Sequence, residues 1–474
     1  MRADDIGADH LRLETGLQTV LVVGMGRSGL AAARLLSSIG RRVLLSDARE
    51  CADPPGLEAA IAAGARVLPL PQDAAHLEGV HLVVKSPGVP GEVGLIVAAH
   101  EAGIPVWSEV ELAFRTLPVT FNAVTGTNGK TTTTALLGHM FETARIPVRV
   151  LGNIGTAITG VASEIGPGQE LVVELSSFQL EDVHEFRPAA GVLLNLTPDH
   201  LDRHGTMERY LDCKAKMFAR QVAADHAVFN LDDPWVSGLG HDVRSRADGP
   251  RVTFFSTLSR VGADSWLEDG YLHLLGGATV AVSDLPLRGR HNMENCLAAA
   301  TMALVRSVPV EAVLEGLRTF PGVPHRLESA GVVRGVAYVN DSKATNVEAT
   351  LKAIAAYPAG THLILGGRDK ASDYRPIARA CVDGCRAVYL IGEAAPLIGE
   401  AFERVRVDEG RVGVPRPSVH ADLETALAAA GAAAGHGETV LLAPACASFD
   451  QYADFEERGR HFMEIVKRMG ESGR

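Results

Sequence analysis

The sequence has little that would place the protein outside the cell or within a membrane. It contains six cysteines in 474 residues, and none belongs to a C-x-x-C motif, so neither a disulfide framework nor a zinc module is expected. No apolar run reaches the roughly 18 residues that span a bilayer. The segment 1–19 carries four acidic side chains and lacks the apolar core of a signal peptide. We therefore expect a cytoplasmic protein that does not bind membranes.

Positive charge is also in short supply. Lysine and arginine together number 45 against 57 acidic residues, which gives a net charge of −12. This balance argues against a nucleic-acid binder, so any phosphate group must be held by a local site. Hydrophobic residues make up 46% of the chain and charged residues 22%, which are ordinary values for folded proteins and exclude a largely disordered chain.

Short β-branched runs alternate with longer stretches rich in alanine and leucine, in three blocks along the chain. This alternation is typical of βαβ units around a buried parallel sheet, and the length alone predicts about three domains. We predict an α/β protein of three domains, each with a mainly parallel sheet. They are a Rossmann-like N-terminal domain (residues 1–117), a P-loop NTPase-like central domain with an added β meander (residues 118–322) and a Rossmann-like C-terminal domain (residues 323–474).

A glycine-rich turn follows the first strand of the central block. Residues 125–132 read TGTNGKTT, after an apolar strand and before a helix predicted over residues 133–144. In such a turn backbone N–H groups close on phosphate oxygens, the lysine reaches the terminal phosphates, and the next threonine offers its hydroxyl to Mg²⁺. The spacing is shorter than in the usual G-x-x-x-x-G-K-[ST] motif, because position 124 is valine. The turn predicts a nucleoside triphosphate site; a glycine turn before a threonine-rich helix cap is the alternative.

Three polar side chains of the central block are candidate metal ligands. Glu174 ends a predicted strand, His200 lies in a polar turn after the next strand, and Lys214 lies on the following helix. Mg²⁺ prefers carboxylates near a triphosphate, which favours Glu174. Taken one at a time, each residue has an ordinary explanation as a solvated strand end, a surface histidine or a solvated helix face.

The first block carries a second glycine-rich turn. Residues 24–29 read GMGRSG after a strand, and Asp47 ends the next strand. Read alone, this is the G-x-G-x-x-G fingerprint of dinucleotide binding, with the acidic residue reaching a ribose. An NAD-dependent oxidoreductase is therefore the rival interpretation, although we identify no group of residues suited to hydride transfer.

The third block has two cations after predicted strands, Lys343 and Lys370. The patterns T-x-x-E at residues 345–348 and S-x-x-Q at residues 448–451 are predicted capping boxes that open helices. Two helix N-termini and two lysines at one edge of a sheet make a site for a small dianion. Capping alone explains the hydroxyl side chains equally well, but it leaves the two lysines unexplained.

Seven strings of the sequence, taken in combination, resemble the ATP-dependent Mur ligases, which build the cytoplasmic peptide stem of bacterial peptidoglycan. Four resemble the family as a whole: GTNGKTT at 126–132, ELSSFQ at 174–179, NLTPDH at 195–200 and GRHNMEN at 289–295. Three resemble the branch that adds D-glutamate: NDSKATN at 340–346, GGRDK at 366–370 and SFDQ at 448–451. The resemblance covers nearly the whole chain and favours a ligase over the oxidoreductase.

The resemblance implies roles for individual residues. ATP would be contacted by Gly126, Thr127, Asn128, Gly129, Lys130, Thr131, Thr132, Asn292, Asn295, Arg326 and Asp341. The implied catalytic residues are Lys130, Glu174, His200 and Lys214. A UDP-bearing substrate would be bound by Arg27, Ser28, Asp47, Arg49, Ser86, Pro87, Asn153 and Gln179. D-Glutamate would be bound by Lys343, Thr345, Lys370, Ser448 and Phe455. Where the family often has Asp-Thr-Arg in the UDP site, this chain has Ala48 in the middle position, so one hydroxyl contact is missing.

The resemblance also implies two Mg²⁺ ions. Thr131 and Glu174 would hold one ion, and His200 with Lys214 would hold the second. Lys214 would then be carbamylated, because an ammonium cannot bind a cation whereas a carbamate offers anionic oxygen on a long stem.

The reaction implied by the resemblance joins the carboxylate of UDP-N-acetylmuramoyl-L-alanine to the amine of D-glutamate, with cleavage of ATP to ADP and phosphate. Carboxylate oxygen is a poor leaving group, and phosphoryl transfer converts it into an acyl phosphate that an amine can attack. A ligase for another acidic amino acid and a nucleotide-regulated binding protein without turnover are the alternatives. We further expect a monomer without a nucleic-acid partner.

Overall fold

The computed structural model of the chain describes residues 16–48, 54, 56–153, 156–166, 168–370 and 372–472. Arg49, a predicted substrate contact, lies outside these residues. The chain forms two compact units, which meet in sequence between Phe320 and Pro321. The first unit contains two of the sheets and the second unit contains one.

The first sheet is parallel, with strand order β3-β2-β1-β4-β5. Its strands are β1 (Thr19–Val23), β2 (Arg42–Ser46), β3 (Arg66–Val67), β4 (Leu82–Lys85) and β5 (Val106–Ser108). The connecting helices are α1 (Arg27–Ser38), α2 (Leu57–Ala62), α3 (Gly94–Glu101) and α4 (Glu109–Thr116). All five residues of β1 are buried, because helices cover both faces of a central parallel strand.

The second sheet has the order β14-β13-β12-β11-β10-β9-β6-β8-β7. Its strands are β6 (Thr120–Thr125), β7 (Val148–Gly152), β8 (Glu170–Glu174), β9 (Ala190–Leu193), β10 (His226–Asn230), β11 (Arg251–Ser256), β12 (Ser265–Glu268), β13 (Tyr271–His273) and β14 (Thr279–Ala281). The helices are α5 (Lys130–Thr143), α6 (Ser177–Leu180), α7 (Leu201–His204), α8 (Met207–Ala215), α9 (Pro234–Arg244), α10 (Arg290–Val305) and α11 (Val310–Thr319). Strands β6 to β12 pair in parallel, whereas β12, β13 and β14 form an antiparallel meander, as the sequence predicts.

The third sheet has the order β15-β16-β20-β17-β18-β19 and is parallel except for the edge strand β15. Its strands are β15 (Glu328–Val333), β16 (Val336–Asn340), β17 (Thr361–Gly366), β18 (Cys385–Ile391), β19 (Ser418–Val419) and β20 (Thr439–Leu442). The helices are α12 (Val347–Ala356), α13 (Arg375–Gly384), α14 (Ala395–Val407), α15 (Leu423–Ala433) and α16 (Phe455–Ser472). The predicted class of three mainly parallel α/β sheets is confirmed, and the domain boundaries at 117/118 and 322/323 stay predictions.

Both predicted capping boxes of the third block are wrong. Helix α12 is capped by Asn346, whose side chain accepts from the Ala349 N–H at 2.8 Å, so the cap lies one residue after Thr345. Residues 448–451 form a turn, and α16 begins only at Phe455. Asparagine caps a helix at least as well as threonine does. Asn346 is the last extended residue before α12, so its side chain is the one that can cap the helix.

Within the described ranges, no helix is long and apolar enough to cross a membrane. The cysteines at positions 213, 296, 381, 385 and 446 are free thiols, and Cys51 lies outside those ranges.

Candidate active site

The central site is built on the turn between β6 and α5. Gly126 and Gly129 both have positive φ, 152° and 82°, and each allows the backbone to fold back above the end of β6. Helix α5 begins at Lys130, three residues before the predicted start, so Thr131 and Thr132 lie in its first turn and are buried. The N–H groups of a helix start therefore face the space above the turn, as anion binding requires.

Asn195 fixes the shape of this turn. Its amide oxygen accepts from the Asn128 N–H at 2.8 Å, and its amide nitrogen donates to the Asn128 carbonyl at 3.2 Å. The Thr127 N–H donates to the Asn195 carbonyl at 3.0 Å. Asn195 opens the NLTPDH string, but no role was predicted for it from the sequence. Asn195 and Asn128 are 67 residues apart in sequence, so no local pattern indicates this contact.

Lys130 lies across its own turn. Its Nζ donates to the carbonyls of Gly126 and Thr127, at 2.9 and 2.8 Å. An ammonium held at this place supplies positive charge where phosphate oxygens would contact the turn.

Gly129 leaves room for Asn295. A Cβ atom added at position 129 would overlap the amide oxygen of Asn295, which also accepts from the Thr133 hydroxyl at 3.2 Å. The amide of Asn295 in turn donates to Asn292 at 3.2 Å. Both asparagines are predicted ATP contacts, and this chain of hydrogen bonds links them to the first turn of α5.

We expect Gly129→Ala to raise the KM for ATP by roughly tenfold or more. Alanine at φ 82° is strained, and its methyl group would displace Asn295 from Thr133. Steady-state kinetics would measure this change in KM. Gly138→Ala in α5 is not a suitable control, because its added Cβ would clash with Val150. Gly270→Ala is the better control, since its φ of 79° is also positive but its added Cβ meets nothing within 4 Å. Equal KM values for ATP in the two variants would contradict the steric explanation.

Glu174 ends the strand beside this turn. It pairs with Val124 in the ladder between β8 and β6, and its side chain is only 3% exposed. One carboxylate oxygen accepts from the Asn153 side-chain amide at 2.9 Å, and the other is buried without a hydrogen-bond partner. A buried carboxylate oxygen without a hydrogen-bond partner is unfavourable unless a bound ligand interacts with it.

This donor set fits magnesium. A carboxylate oriented by an amide, together with a hydroxyl from Thr131, matches the few oxygen ligands that Mg²⁺ takes from protein when phosphates supply the others. Within the part of the chain that the structure describes, no group of three or more His, Cys, Asp or Glu side chains could hold a metal by itself.

Lys214 is buried beneath the same turn. Its side chain is 1% exposed, and its Nζ donates to the Gly126 carbonyl at 3.0 Å and lies 4.6 Å from the Tyr210 ring centroid. Burial, assisted by repulsion from Lys130, lowers the pKa of Lys214 well below the usual value for lysine. A larger fraction of this amine is therefore neutral, and a neutral amine is the form that reacts with carbon dioxide.

His200 has a left-handed backbone, with φ of 53°, and its side chain is half exposed. Its ring lies 4.9 Å from that of Phe178 and 3.5 Å from an oxygen of Asp199. The neighbouring His204 is buried, with Nε2 2.9 Å from the Ser177 hydroxyl, and burial lowers its pKa. Of these two histidines, only His200 is accessible enough to meet a ligand.

A cleft of about 600 Å³ lies at the carboxyl ends of the first sheet and is also lined from the second sheet. Seven of the eight predicted UDP-substrate residues line it: Arg27, Ser28, Asp47, Ser86, Pro87, Asn153 and Gln179. The eighth, Arg49, is not described. Gln72 also lines the cleft, and no sequence motif pointed to it. Asp47 accepts from the Met25 N–H at 2.8 Å, so it also shapes the glycine turn.

Two cations attach one wall of this cleft to the segments at α6 and α7. Lys85, which is 1% exposed, contacts Glu181 and Asp182 at 2.5 and 2.8 Å. Arg203 donates to the Pro87 and Val89 carbonyls at 3.0 and 3.1 Å. The wall is therefore held by charge-assisted hydrogen bonds, which are the stronger kind.

The second unit, taken by itself, carries the remaining predicted residues. Lys343 and Lys370 lie in the loops after β16 and β17, at the same edge of the third sheet. Lys343 Nζ is 5.8 Å from the Phe455 ring centroid, and Lys370 Nζ donates to the Thr345 carbonyl at 3.4 Å. The side chain of Ser448 is buried after β20, at that same edge.

Asp341 also lies at this edge and is nearly buried. Burial raises its pKa to about 6, although Arg326 and Lys343 act in the opposite direction. Its carboxylate accepts from the Leu327 N–H at 3.3 Å. The charges of Arg326 and Asp341 therefore attract each other within the unit.

Comparisons with known protein families agree with this arrangement. Residues 18–108 match the N-terminal domain of MurD-like Mur ligases, residues 124–303 match the Mur ligase middle domain, and residues 325–446 match the glutamate ligase domain of Mur ligases. Among solved structures, MurC from Thermotoga maritima has a TM-score of 0.57 at 19% identity, covering 95% of this chain and 99% of that one. MurF from Acinetobacter baumannii has a TM-score of 0.60 at 14% identity, covering 94% and 93%. These structures share the fold.

Curated relatives are more similar in sequence. The UDP-N-acetylmuramoylalanine–D-glutamate ligase of Pelotomaculum thermopropionicum is 43% identical over 457 residues, which cover 94% of this chain and 97% of that protein. The ligase of the same name from Anaeromyxobacter dehalogenans is 42% identical, with coverage of 94% and 97%. Identity at this level over nearly the full length means that the chain belongs to the Mur ligase family.

Proposed function

We propose that this protein is the ATP-dependent ligase that adds D-glutamate to UDP-N-acetylmuramoyl-L-alanine in the synthesis of peptidoglycan precursors. The observation that carries the proposal is the pairing of a phosphate-binding turn with a buried, half-satisfied Glu174 carboxylate, beside a cleft lined by the predicted UDP-substrate residues. The full-length similarity to ligases of that name supports the choice of substrates. The cytoplasm is the proposed compartment, and one chain is the proposed functional unit.

The proposed chemistry has two steps. A carboxylate oxygen of the UDP-bearing substrate attacks the γ-phosphorus of ATP, the bond to the bridging oxygen breaks, and ADP leaves. The amine of D-glutamate then attacks the carbonyl carbon of the acyl phosphate, the C–O bond to phosphate breaks, and the amine loses a proton. The chain needs no nucleophile of its own, because each attacking group belongs to a substrate.

The chain's own residues bind and orient the reacting groups in this proposal. Lys130 and the N–H groups of residues 126–132 hold the phosphates, and Asn195 keeps the turn in shape. Thr131 and Glu174 would hold one Mg²⁺, while His200 and a carbamylated Lys214 would hold a second. Bound magnesium neutralises charge on the transferred phosphoryl group.

Asn153 connects the two parts of the site. It lines the cleft proposed for the UDP substrate, and its amide holds one oxygen of Glu174 at 2.9 Å. A substrate bound in the cleft would therefore contact the residue that orients Glu174, a proposed metal ligand. Asn292, Asn295, Arg326 and Asp341 stay predicted contacts of ATP.

The proposal is tested by phosphate release from ATP with UDP-N-acetylmuramoyl-L-alanine and a panel of amino acids. We expect release with D-glutamate, and little with L-glutamate, D-aspartate, L-lysine or diaminopimelate. Formation of the ligated product is followed by mass spectrometry. Turnover with a different acidic amino acid would identify another ligase, and ATP binding without any turnover would favour the binding protein.

We expect Lys370→Ala to raise the KM for D-glutamate by roughly 10- to 100-fold. A hydrogen bond to a charged partner contributes about 1.5–3 kcal/mol, and Lys370 is exposed, so the loss falls within that range rather than at the larger values for buried pairs. The KM values for the other two substrates should change little. Lys352→Ala removes an exposed lysine of α12 and serves as the control. If all three KM values rise together, Lys370 has a structural role and the amino-acid site lies elsewhere.

A further inference from the structure

Arg458 is among the largest fully buried side chains of the described residues and is 1% exposed. Arginine is seldom buried completely unless it is paired with an anion, because removing a guanidinium from water is costly. Burial lowers the pKa of Arg458 to about 10, so the side chain stays charged at neutral pH. The charge therefore needs an explanation.

The hydrogen bonds of Arg458 go to neutral acceptors. Nε donates to the Ser342 hydroxyl at 3.0 Å, and Nη2 donates to the carbonyls of Ser342 and Cys446 at 3.0 and 3.2 Å. Nη1 reaches the carbonyls of Gly366 and Ala447 at 3.4 and 3.5 Å. None of these partners is a carboxylate, and the Asp450 carboxylate acts on the guanidinium through its charge without a hydrogen bond among those given for Arg458.

These acceptors lie in or beside three different loops: Ser342 is in the first, Gly366 is the last residue of β17 before the second, and Cys446 and Ala447 are in the third. The loops follow β16, β17 and β20, which are adjacent strands in the third sheet, and all three lie at its carboxyl edge. Gly367 permits the close approach of the loops, since a Cβ there would overlap the Ala447 carbonyl oxygen and would lie 3.1 Å from Arg458 Nη1. The Ser342 hydroxyl also donates to the Phe455 carbonyl at 2.8 Å, which attaches the start of α16 to the first loop.

The same three loops carry the residues proposed for the amino acid. Lys343 is one residue after Ser342, Lys370 follows Gly366 in the second loop, and Ser448 is one residue after Ala447. Arg458 also lies near the N-terminus of α16, where the helix dipole disfavours a cation. A hydrophobic side chain of similar volume would leave these buried carbonyls without a donor, so the guanidinium is what connects the three loops.

We propose that Arg458 is a positioning residue for the amino-acid substrate: its buried guanidinium holds the three strand-end loops in register and adds positive charge at this edge for a dianionic amino acid. The inference rests on the proposed function. The planar fork sets the loop geometry, and the charge favours the two carboxylates that the substrate brings. Replacement should therefore weaken binding of the amino acid far more than binding of the UDP substrate.

The test compares Arg458→Met, which keeps volume without charge, with Arg458→Lys, which keeps charge without the fork. Arg460→Met, an exposed position on the same helix, is the control. Kinetic constants are measured for all three substrates, together with the thermal midpoint with and without D-glutamate. We expect Arg458→Met to raise the KM for D-glutamate by about 30-fold or more, with the KM for the UDP substrate within about twofold. The stabilisation by D-glutamate should be lost, and Arg458→Lys should lie between this variant and the wild type.

Two results would overturn the inference alone while the wild type still ligates D-glutamate. The first is a lower thermal midpoint in Arg458→Met with an unchanged KM for D-glutamate. The second is an equal rise in the KM values of all substrates. If Arg458→Met does not fold, Arg458→Lys decides by the same criteria. A wild type that does not ligate D-glutamate would overturn the proposed function as well.

Discussion

Lys130→Ala should lose essentially all ligase turnover, with kcat reduced by roughly a thousandfold, while binding of the UDP substrate stays normal. Lys130 Nζ lies over the carbonyls of Gly126 and Thr127 and is the cation on the phosphate-binding turn. The cleft proposed for the UDP substrate does not include this side chain. Phosphate release and product formation measure the loss, and calorimetry with UDP-N-acetylmuramoyl-L-alanine measures the retained binding.

Two further variants make this experiment specific. Lys130→Arg keeps the charge but not the compact ammonium, and we expect it to retain little activity, because the guanidinium is too large to lie within the turn. Lys352→Ala removes an exposed lysine and should behave as the wild type. Near-normal ligation by Lys130→Ala would contradict the assignment of the phosphate-binding turn.

Lys214→Ala should also be almost inactive, with a fall of roughly a hundred- to a thousandfold in kcat, and short carboxylic acids should restore part of the activity. The substitution empties a buried space beneath the Gly126 carbonyl, where formate or acetate could supply the anionic oxygen that a carbamate would otherwise provide. Activity is measured against acetate concentration at constant ionic strength.

Lys214→Met is the matched control for rescue. Its side chain fills the same space, so added acetate should have no effect on it. In the wild type, ¹³C-labelled bicarbonate should give a carbamate resonance that Lys214→Met lacks. Full activity without that resonance, or equal rescue of both variants, would show that no carbamate forms at Lys214.

Features encoded by neighbouring residues were predicted well. The glycine-rich turn between β6 and α5, the fold class and the meander after β11 all follow from short patterns of glycine, lysine and alternating apolar residues. Helix starts were predicted less accurately. Thr345 and Asn346 can both cap a helix, and only the path of the chain into α12 decided for Asn346.

The contacts that arrange the site were not predictable in the same way. Asn195 holds Asn128 across 67 residues, and Asn153 orients Glu174 across 21. Arg458 joins loops that lie up to 116 residues away in sequence. Nothing in the local sequence distinguishes these side chains from ordinary polar residues of loops and helix faces.

The sequence by itself determined that the chain folds as three mainly parallel α/β sheets with a glycine-rich turn between β6 and α5, because strand and helix periodicity and turn chemistry depend on neighbouring residues. Only the tertiary structure decided that one Glu174 oxygen is buried without a partner, that Lys214 lies beneath the turn, and that Arg458 joins three loops. Burial and hydrogen-bond partners depend on how distant strands are ordered in a sheet. The same side chain is solvated or buried according to that order.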